Sequence, residues 1–232
     1  MNEDDLAGRI ARVRTAIRAA AARVGRDPDT IVLVAASKGT SQVQVDAARQ
    51  LGVTVFGENR VQEAYEKFAP PKPGDDLRRR GEVHLIGPLQ TNKVKRAVGF
   101  FDLIHSVDRL DLAETIGHEA ARRSITQAVL VQVNISAEAT KHGATPDATP
   151  SLVAAVRSLP NLSLLGLMAI PPPVDDPEAA RPWFSLLRQL AVSLKLSRLS
   201  MGMSSDFEVA IEEGASWVRI GSALFGTRRI LK

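Results

Sequence analysis

The sequence predicts a single (β/α)8 barrel of the TIM type with an extra helix at its N-terminus. Three observations carry that reading. From Ile31 onward, eight short apolar runs each end in polar or glycine residues and lead into a helical stretch, all within about 200 residues. At 232 residues, 44% of them hydrophobic, the chain can bury one full core, and nothing in it marks a second domain, so residues 1–232 read as one domain. A doubly wound open sheet needs fewer strands and usually a glycine-rich dinucleotide turn after the first, where this chain has Ser37-Lys38-Gly39-Thr40.

Leu6, Ile10, Val13, Ile17, Ala20 and Val24 recur at spacings of three and four, the stripe of an amphipathic helix whose acidic start suits the helix dipole. Gly25 and Asp27-Pro28 end it, so residues 1–25 form a helix packed on the barrel. The first strand runs from Ile31 to Lys38 and opens on six apolar residues, as a strand buried on both faces does. An amphipathic run, Val43 to Leu51, follows it. Val53 to Phe56 precedes Gly57-Glu58-Asn59 and a helix through Val61 and Tyr65. Val83 to Ile86 precedes Gly87-Pro88 and a helix through Asn92 and Val98. Phe101 to His105 leads through Ser106-Val107-Asp108 to a helix reaching Arg123, and Ala128 to Ile135 leads through a loop to the helix Pro150 to Leu159. Leu162 to Ile170 ends in prolines before a helix around Trp183 to Leu194. Arg198 to Met203 ends in Ser204-Ser205-Asp206 before the helix Phe207 to Glu213, and Ser216 to Ile220 ends in Gly221-Ser222 before a short last turn. Pro70 to Gly81, rich in Pro, Gly and charge, reads as a mobile surface loop.

Composition excludes several chemistries. The chain has no cysteine and four scattered histidines, which leaves neither a disulfide framework nor a zinc site, so no metal is expected. Net charge is +4 and the pI about 9.7, yet the basic residues fall into separate clusters with few aromatics between them, so a solvated surface is favoured over a nucleic-acid groove. Met1 leads into Asn2-Glu3-Asp4-Asp5 without the basic start and apolar stretch of a signal peptide, and no apolar run reaches membrane-spanning length. A cytoplasmic protein with no membrane partner is expected.

Lys38 closes an apolar strand where it hands over to a helix, the place where α/β folds keep their active sites. An ammonium there either snorkels to water or is kept for chemistry. In a barrel, the loops after the last two strands commonly hold a phosphate. Here they are Met201-Gly202-Met203-Ser204-Ser205-Asp206 and Arg219-Ile220-Gly221-Ser222, small residues whose N–H groups and hydroxyls can converge on an anion. Arg219 alternates with apolar neighbours on the last strand, so its guanidinium points inward and must have a partner, either a structural acid or a ligand atom. A lysine facing a phosphate cup is the arrangement for a Schiff base with a phosphorylated carbonyl compound. Pyridoxal phosphate fits, and so does the sugar phosphate of an aldolase.

The local strings separate the two. Ala36-Ser37-Lys38, Gly57-Glu58-Asn59-Arg60, His84 through Lys93, His105-Ser106-Val107-Asp108, Val133-Asn134-Ile135-Ser136, Thr140-Lys141-His142-Gly143, Gly166-Leu167-Met168, Leu199 through Asp206 and Val218-Arg219-Ile220-Gly221 stand in this sequence with intact spacing. Together they resemble the pyridoxal phosphate homeostasis protein family, which looks like the barrel domain of alanine racemase standing alone. The resemblance runs from about Ile31 to Arg228. One departure is Val83, where the family often has Trp. The resemblance implies that Lys38 carries pyridoxal 5'-phosphate as an aldimine, with Asn59 beside the cofactor. It further implies that Ser204, Gly221 and Ser222 hold the phosphate and that Arg219 faces the pyridine nitrogen.

Catalysis on an amino acid needs an electron sink and a base against the substrate's α-carbon. A cation at the ring nitrogen opposes its protonation and weakens the sink. Alanine-racemase-type enzymes add a Tyr from a further domain, whereas this chain stops soon after the barrel and its one Tyr, Tyr65, falls on a predicted helix outside the strand ends. The expected function is therefore vitamin B6 homeostasis, the storage, buffering or delivery of pyridoxal phosphate, with apo-form enzymes as recipients and no reaction of its own. A racemase or lyase of alanine-racemase type is the alternative, and a monomer is expected over an oligomer.

Overall fold

The computed structural model describes residues 3–68, 81–136, 138 and 141–226. Pro70 to Arg80, most of the stretch read as a mobile loop, lies outside them. Eight parallel strands close into a barrel in sequence order: β1 (Val32–Ala36), β2 (Val55–Glu58), β3 (Glu82–Leu85), β4 (Leu103–Val107), β5 (Gln127–Val133), β6 (Leu162–Ala169), β7 (Arg198–Ser200) and β8 (Trp217–Ile220). Closure is made by β1 against β8, with Val34 opposite Arg219. The helices are α1 (Glu3–Arg23), α2 (Gln42–Gln50), α3 (Val61–Lys67), α4 (Val94–Ala97), α5 (Leu110–Arg122), α6 (Thr149–Ser158), α7 (Arg181–Ser193), α8 (Phe207–Glu212) and α9 (Ser222–Phe225). Among the described residues, no helix is long and apolar enough to cross a membrane.

Strand periodicity sorts the apolar residues into two layers. Leu33 and Ala35, Phe56, Val83 and Leu85, and Val218 and Ile220 point outward into one large cluster shared with the helices. Their neighbours Val34, Val55, Ile86, Leu103, Leu130, Met168 and Trp217 point inward and fill the barrel. Val83 is fully buried in the outer layer, so the departure from Trp touches helix packing and not the barrel interior. Gly57 shows how tight the interior is: a Cβ there would lie 2.8 Å from Ile86 Cδ1 and 2.9 Å from Val34 Cγ1.

α1 lays Leu6, Ile10, Val13, Ile17, Ala20 and Ala21 against α2, α8 and α9. Its last predicted stripe residue differs. Val24 is 42% exposed, because the helix ends at Arg23 and the chain turns through Gly25 at φ +66°. Arg26 donates to Ile211 O at 2.7 Å and Ala215 O at 2.9 Å, and Arg23 pairs with Glu208 and Glu212. Exposed ion pairs contribute little, so the apolar face holds α1 in place and the pairs fix its orientation.

Two strands are displaced by two residues from their predicted positions, β2 to Val55–Glu58 and β4 to Leu103–Val107. The helix read through Asn92 and Val98 is a 3-10 turn, Thr91–Lys93, continued by the single turn of α4 and ended where Gly99 takes φ +73°.

Candidate functional site

A cavity of about 740 Å³ opens at the C-terminal ends of the strands, and Lys38, Asn59, Ser204, Arg219, Gly221 and Ser222 all line it. The six residues singled out from the sequence thus meet in one place, from loops after β1, β2, β7 and β8 and from β8 itself.

Lys38 stands exposed in the turn after β1. The residues on either side of it are held from outside the barrel. Ser37, fully buried, donates its hydroxyl to Glu58 Oε1 at 2.7 Å. Lys67, at the end of α3, donates to Ser37 O at 2.5 Å, Glu58 Oε1 at 2.9 Å and Glu63 Oε1 at 2.7 Å, and Glu63 in turn accepts the Gly39 N–H. The Lys67 ammonium and the Glu63 carboxylate therefore grip the backbone before and after Lys38, while Glu58 holds the Ser37 side chain. Burial pushes the Glu58 carboxyl above its ordinary range, against the pull of Lys67 and Ser37. α2 then starts on a capping box between Ser41 and Gln44, which fixes the exit of the turn.

At the opposite wall, Ser204 Oγ accepts from Gly221 N at 3.3 Å and from Ala223 N at 3.2 Å, so N–H groups of the β8–α9 turn already converge on one acceptor. The Asp206 carboxylate is turned away from this cup, accepting Met203 N–H at 2.6 Å. Convergent N–H groups and hydroxyls with no carboxylate among them are the donor set of an oxyanion site. A phosphate fits that set.

Arg219 is 4% exposed and has its pKa lowered to about 10 by burial, partly offset by the charge of Asp206. Its partners are neutral: Nη1 donates to Ser200 Oγ at 2.6 Å and Nη2 to Ala169 O at 2.9 Å. The structural acid that a buried guanidinium ordinarily requires does not contact it among the described residues. A desolvated cation held by dipoles and lining a cavity is matched by a ligand atom that accepts, such as an unprotonated ring nitrogen.

Asn59 lines both this cavity and a neighbouring depression of about 580 Å³ shared with Arg60, Gln62, Gln90 and Lys93. Its place is fixed by close approach, since a Cβ on Gly87 would come 2.4 Å from Asn59 O. Tyr65 sits outside the barrel, as its helix predicts, donating to Arg96 O at 2.8 Å and stacked on Phe100.

Sequence reasoning missed the residues behind Arg219. Ser200 continues to the buried His105, His105 to His84, and His84 to Glu82. Their signal was present in strand parity, because His84, His105 and Ser200 all occupy inward positions.

The model of the family described as "Alanine racemase, N-terminal domain" matches residues 9–229. The pyridoxal phosphate homeostasis protein of Aquifex aeolicus is 45% identical over 227 residues, covering 95% of this chain and 97% of that one. That of Pseudomonas aeruginosa is 45% identical over 225 residues, covering 96% of each. Among solved structures, PipY of Synechococcus elongatus with pyridoxal phosphate bound superposes with a TM-score of 0.80 at 33% identity, covering 95% of this chain and 100% of that one. Alanine racemase of Clostridium difficile shares the fold, with a TM-score of 0.71 at 15% identity, over 97% of this chain and 56% of its own. The chain belongs to the pyridoxal phosphate homeostasis protein family, whose barrel is that of the alanine racemase N-terminal domain.

Proposed function

We propose that this chain binds pyridoxal 5'-phosphate in the cavity at the strand ends and serves vitamin B6 homeostasis by storing, buffering or delivering it in the cytoplasm, without a reaction of its own. The observation that carries the proposal is the meeting, in one cavity, of the Lys38 amine, an oxyanion donor set and a buried arginine with only neutral partners. Lys38 is the covalent anchor for the aldehyde carbon. Ser204, Gly221 and Ser222 hold the phosphate, Asn59 flanks the ring, and Arg219 donates to the ring nitrogen. Once bound, the cofactor supplies an aldehyde that captures amines and a ring that withdraws electrons when its nitrogen is protonated.

The chain's own groups favour holding over turnover. The Arg219 cation opposes a second positive charge beside it and so keeps the ring nitrogen neutral. Among the described residues lining the cavity there is no Tyr, His, Asp, Glu or Cys to act as a second base opposite Lys38. The names of the relatives agree with this reading. Residues 1–232 act in it as one domain and a monomer, with apo-form pyridoxal phosphate enzymes as recipients.

The experiment is to incubate the loaded protein with alanine and serine in deuterated water while mixing a second sample with an apo-form enzyme. Transfer of cofactor without α-proton exchange is expected. Exchange or racemisation at about 1 per second or faster would favour the racemase alternative.

A further inference from the structure

We propose that His105 and His84, acting through Ser200, are positioning residues for Arg219, joined with Glu82 in a one-way chain of hydrogen bonds that crosses the barrel from the cavity to its far rim. The chain is continuous. Arg219 Nη1 reaches Ser200 Oγ at 2.6 Å, Ser200 Oγ reaches His105 Nδ1 at 2.8 Å, His105 Nε2 reaches His84 Nδ1 at 3.1 Å, and His84 Nε2 reaches Glu82 Oε2 at 3.2 Å. Ser200 and His105 are fully buried and His84 is 2% exposed, whereas the Glu82 side chain at the start of β3 is 63% exposed.

The two ends dictate where every hydrogen lies. A guanidinium can only donate, so Ser200 accepts from Arg219. The Glu82 carboxyl, held below its ordinary range by the hydrogen bond from His84, can only accept, so the His84 hydrogen is on Nε2. From the other end, the Ser200 hydrogen needs an acceptor and finds it in His105 Nδ1, which puts the His105 hydrogen on Nε2, facing the lone pair of His84 Nδ1. Burial, reinforced by the charge of Arg219, holds His105 well below its ordinary pKa and therefore neutral. The reverse assignment sets two lone pairs against each other at the His84–His105 contact and gives Ser200 two donors with no acceptor for its own hydrogen. Each bond thus polarises the next in one direction, from Arg219 toward the carboxylate.

What this does at the site follows from geometry. Ser200 Oγ and Ala169 O pin the two Nη atoms of Arg219, which fixes the guanidinium plane and leaves its other hydrogens for the cavity. His105 fixes Ser200 in turn, since a serine rotor with a single partner could swing away. The edge of the Trp217 ring, 5.9 Å between centroids, packs against His105 and keeps that ring upright. Only the effect on the cofactor rests on the function proposed above; the hydrogen placement stands apart from it.

The test reads the protein before any cofactor is added. Long-range proton–nitrogen NMR correlations at neutral pH should show His105 and His84 each with hydrogen on Nε2 and a bare Nδ1, and separate, slowly exchanging Nη signals from Arg219. Ser200→Ala and His105→Leu should merge the Arg219 signals and weaken pyridoxal phosphate binding roughly tenfold, the worth of one hydrogen bond to a charged group. His105→Gln, which keeps a donor and an acceptor, should restore both readouts. Hydrogen on His105 Nδ1, or Arg219 signals and affinity unchanged in Ser200→Ala, would overturn the proposal. Should His105→Leu fail to fold, Ser200→Ala decides, since it removes only one buried hydroxyl. If the wild type binds no pyridoxal phosphate, the functional reading fails while the tautomers and the Arg219 signals still decide the relay.

Discussion

The two cations of the cavity, Lys38 just after β1 and Arg219 on the paired strand β8, are held in opposite ways. Lys38 is exposed, and the charges that matter for it grip its backbone neighbours from the helix side of β1 and β2: Glu58, Glu63 and Lys67. Arg219 is buried, and its guanidinium is held from inside the barrel by a hydroxyl and a carbonyl. The contrast follows from the role proposed for each group. An amine that must bond to a ligand and let it go needs a rigid backbone beneath it. A cation that must influence a ring by its charge needs low dielectric, a fixed plane and no competing anion in contact.

The largest consequence of that difference lies on the Lys38 side. Lys67→Met leaves the buried Glu58 carboxylate without its counter-charge, and breaking such a pair costs about 3 to 5 kcal/mol. Urea denaturation should show that loss, with Glu58→Gln in the same chain recovering much of it. A loss below about 1 kcal/mol would mean that the cluster does not brace the turn.

Next comes the proposed phosphate cup, which belongs to neither cation. Gly221→Leu puts a side chain on the cavity wall, where the new Cβ would already lie 3.4 Å from Ala36 O. Losing two charge-assisted hydrogen bonds to phosphate should weaken pyridoxal phosphate binding about a hundredfold while leaving the affinity for pyridoxal nearly unchanged. Equal weakening of both ligands in a binding titration would place the phosphate elsewhere.

The smallest effect is a pH dependence. The folded Glu58 carboxyl is held above its ordinary value of 4.5, so the folded state keeps its proton more readily than the unfolded one. Its contribution is complete below about pH 4.5 and is lost as the pH rises through the folded value. Glu58→Gln, which carries no such proton, should therefore gain on the wild type as the pH rises from about 4.5 toward neutrality, read from urea midpoints. A constant difference between the two would show that Lys67 fully cancels the burial.

The barrel was legible because each of its strands is buried on both faces and separated from the next by a helix-length stretch. Where strands begin was less so. Val53 and Phe101 are buried and apolar, yet their N–H groups bond back to the preceding helix ends, at Ala48 O and Ala97 O, and they do not join the ladder. Lys38, Ser204, Arg219 and Gly221 could be placed from their positions at strand ends. The partners of Arg219 could not, because Ser200, His105 and His84 come from three other strands and meet it only when the barrel closes. Strand parity alone puts them inside, without saying which residues share a level. Lys67 carried no signal at all: one lysine on a short helix looks like any solvated charge until the chain brings it to Glu58 and Ser37.

The most direct measurement of the central claim is to load the protein with pyridoxal phosphate, reduce it with borohydride and locate the modified residue by peptide mapping, with Lys38→Ala run alongside. One reduced adduct is expected, on Lys38, with the yellow colour lost in Lys38→Ala and the fold kept to within about 0.5 kcal/mol because the side chain is exposed. An adduct of equal yield on another lysine, or colour that survives in Lys38→Ala, would contradict it.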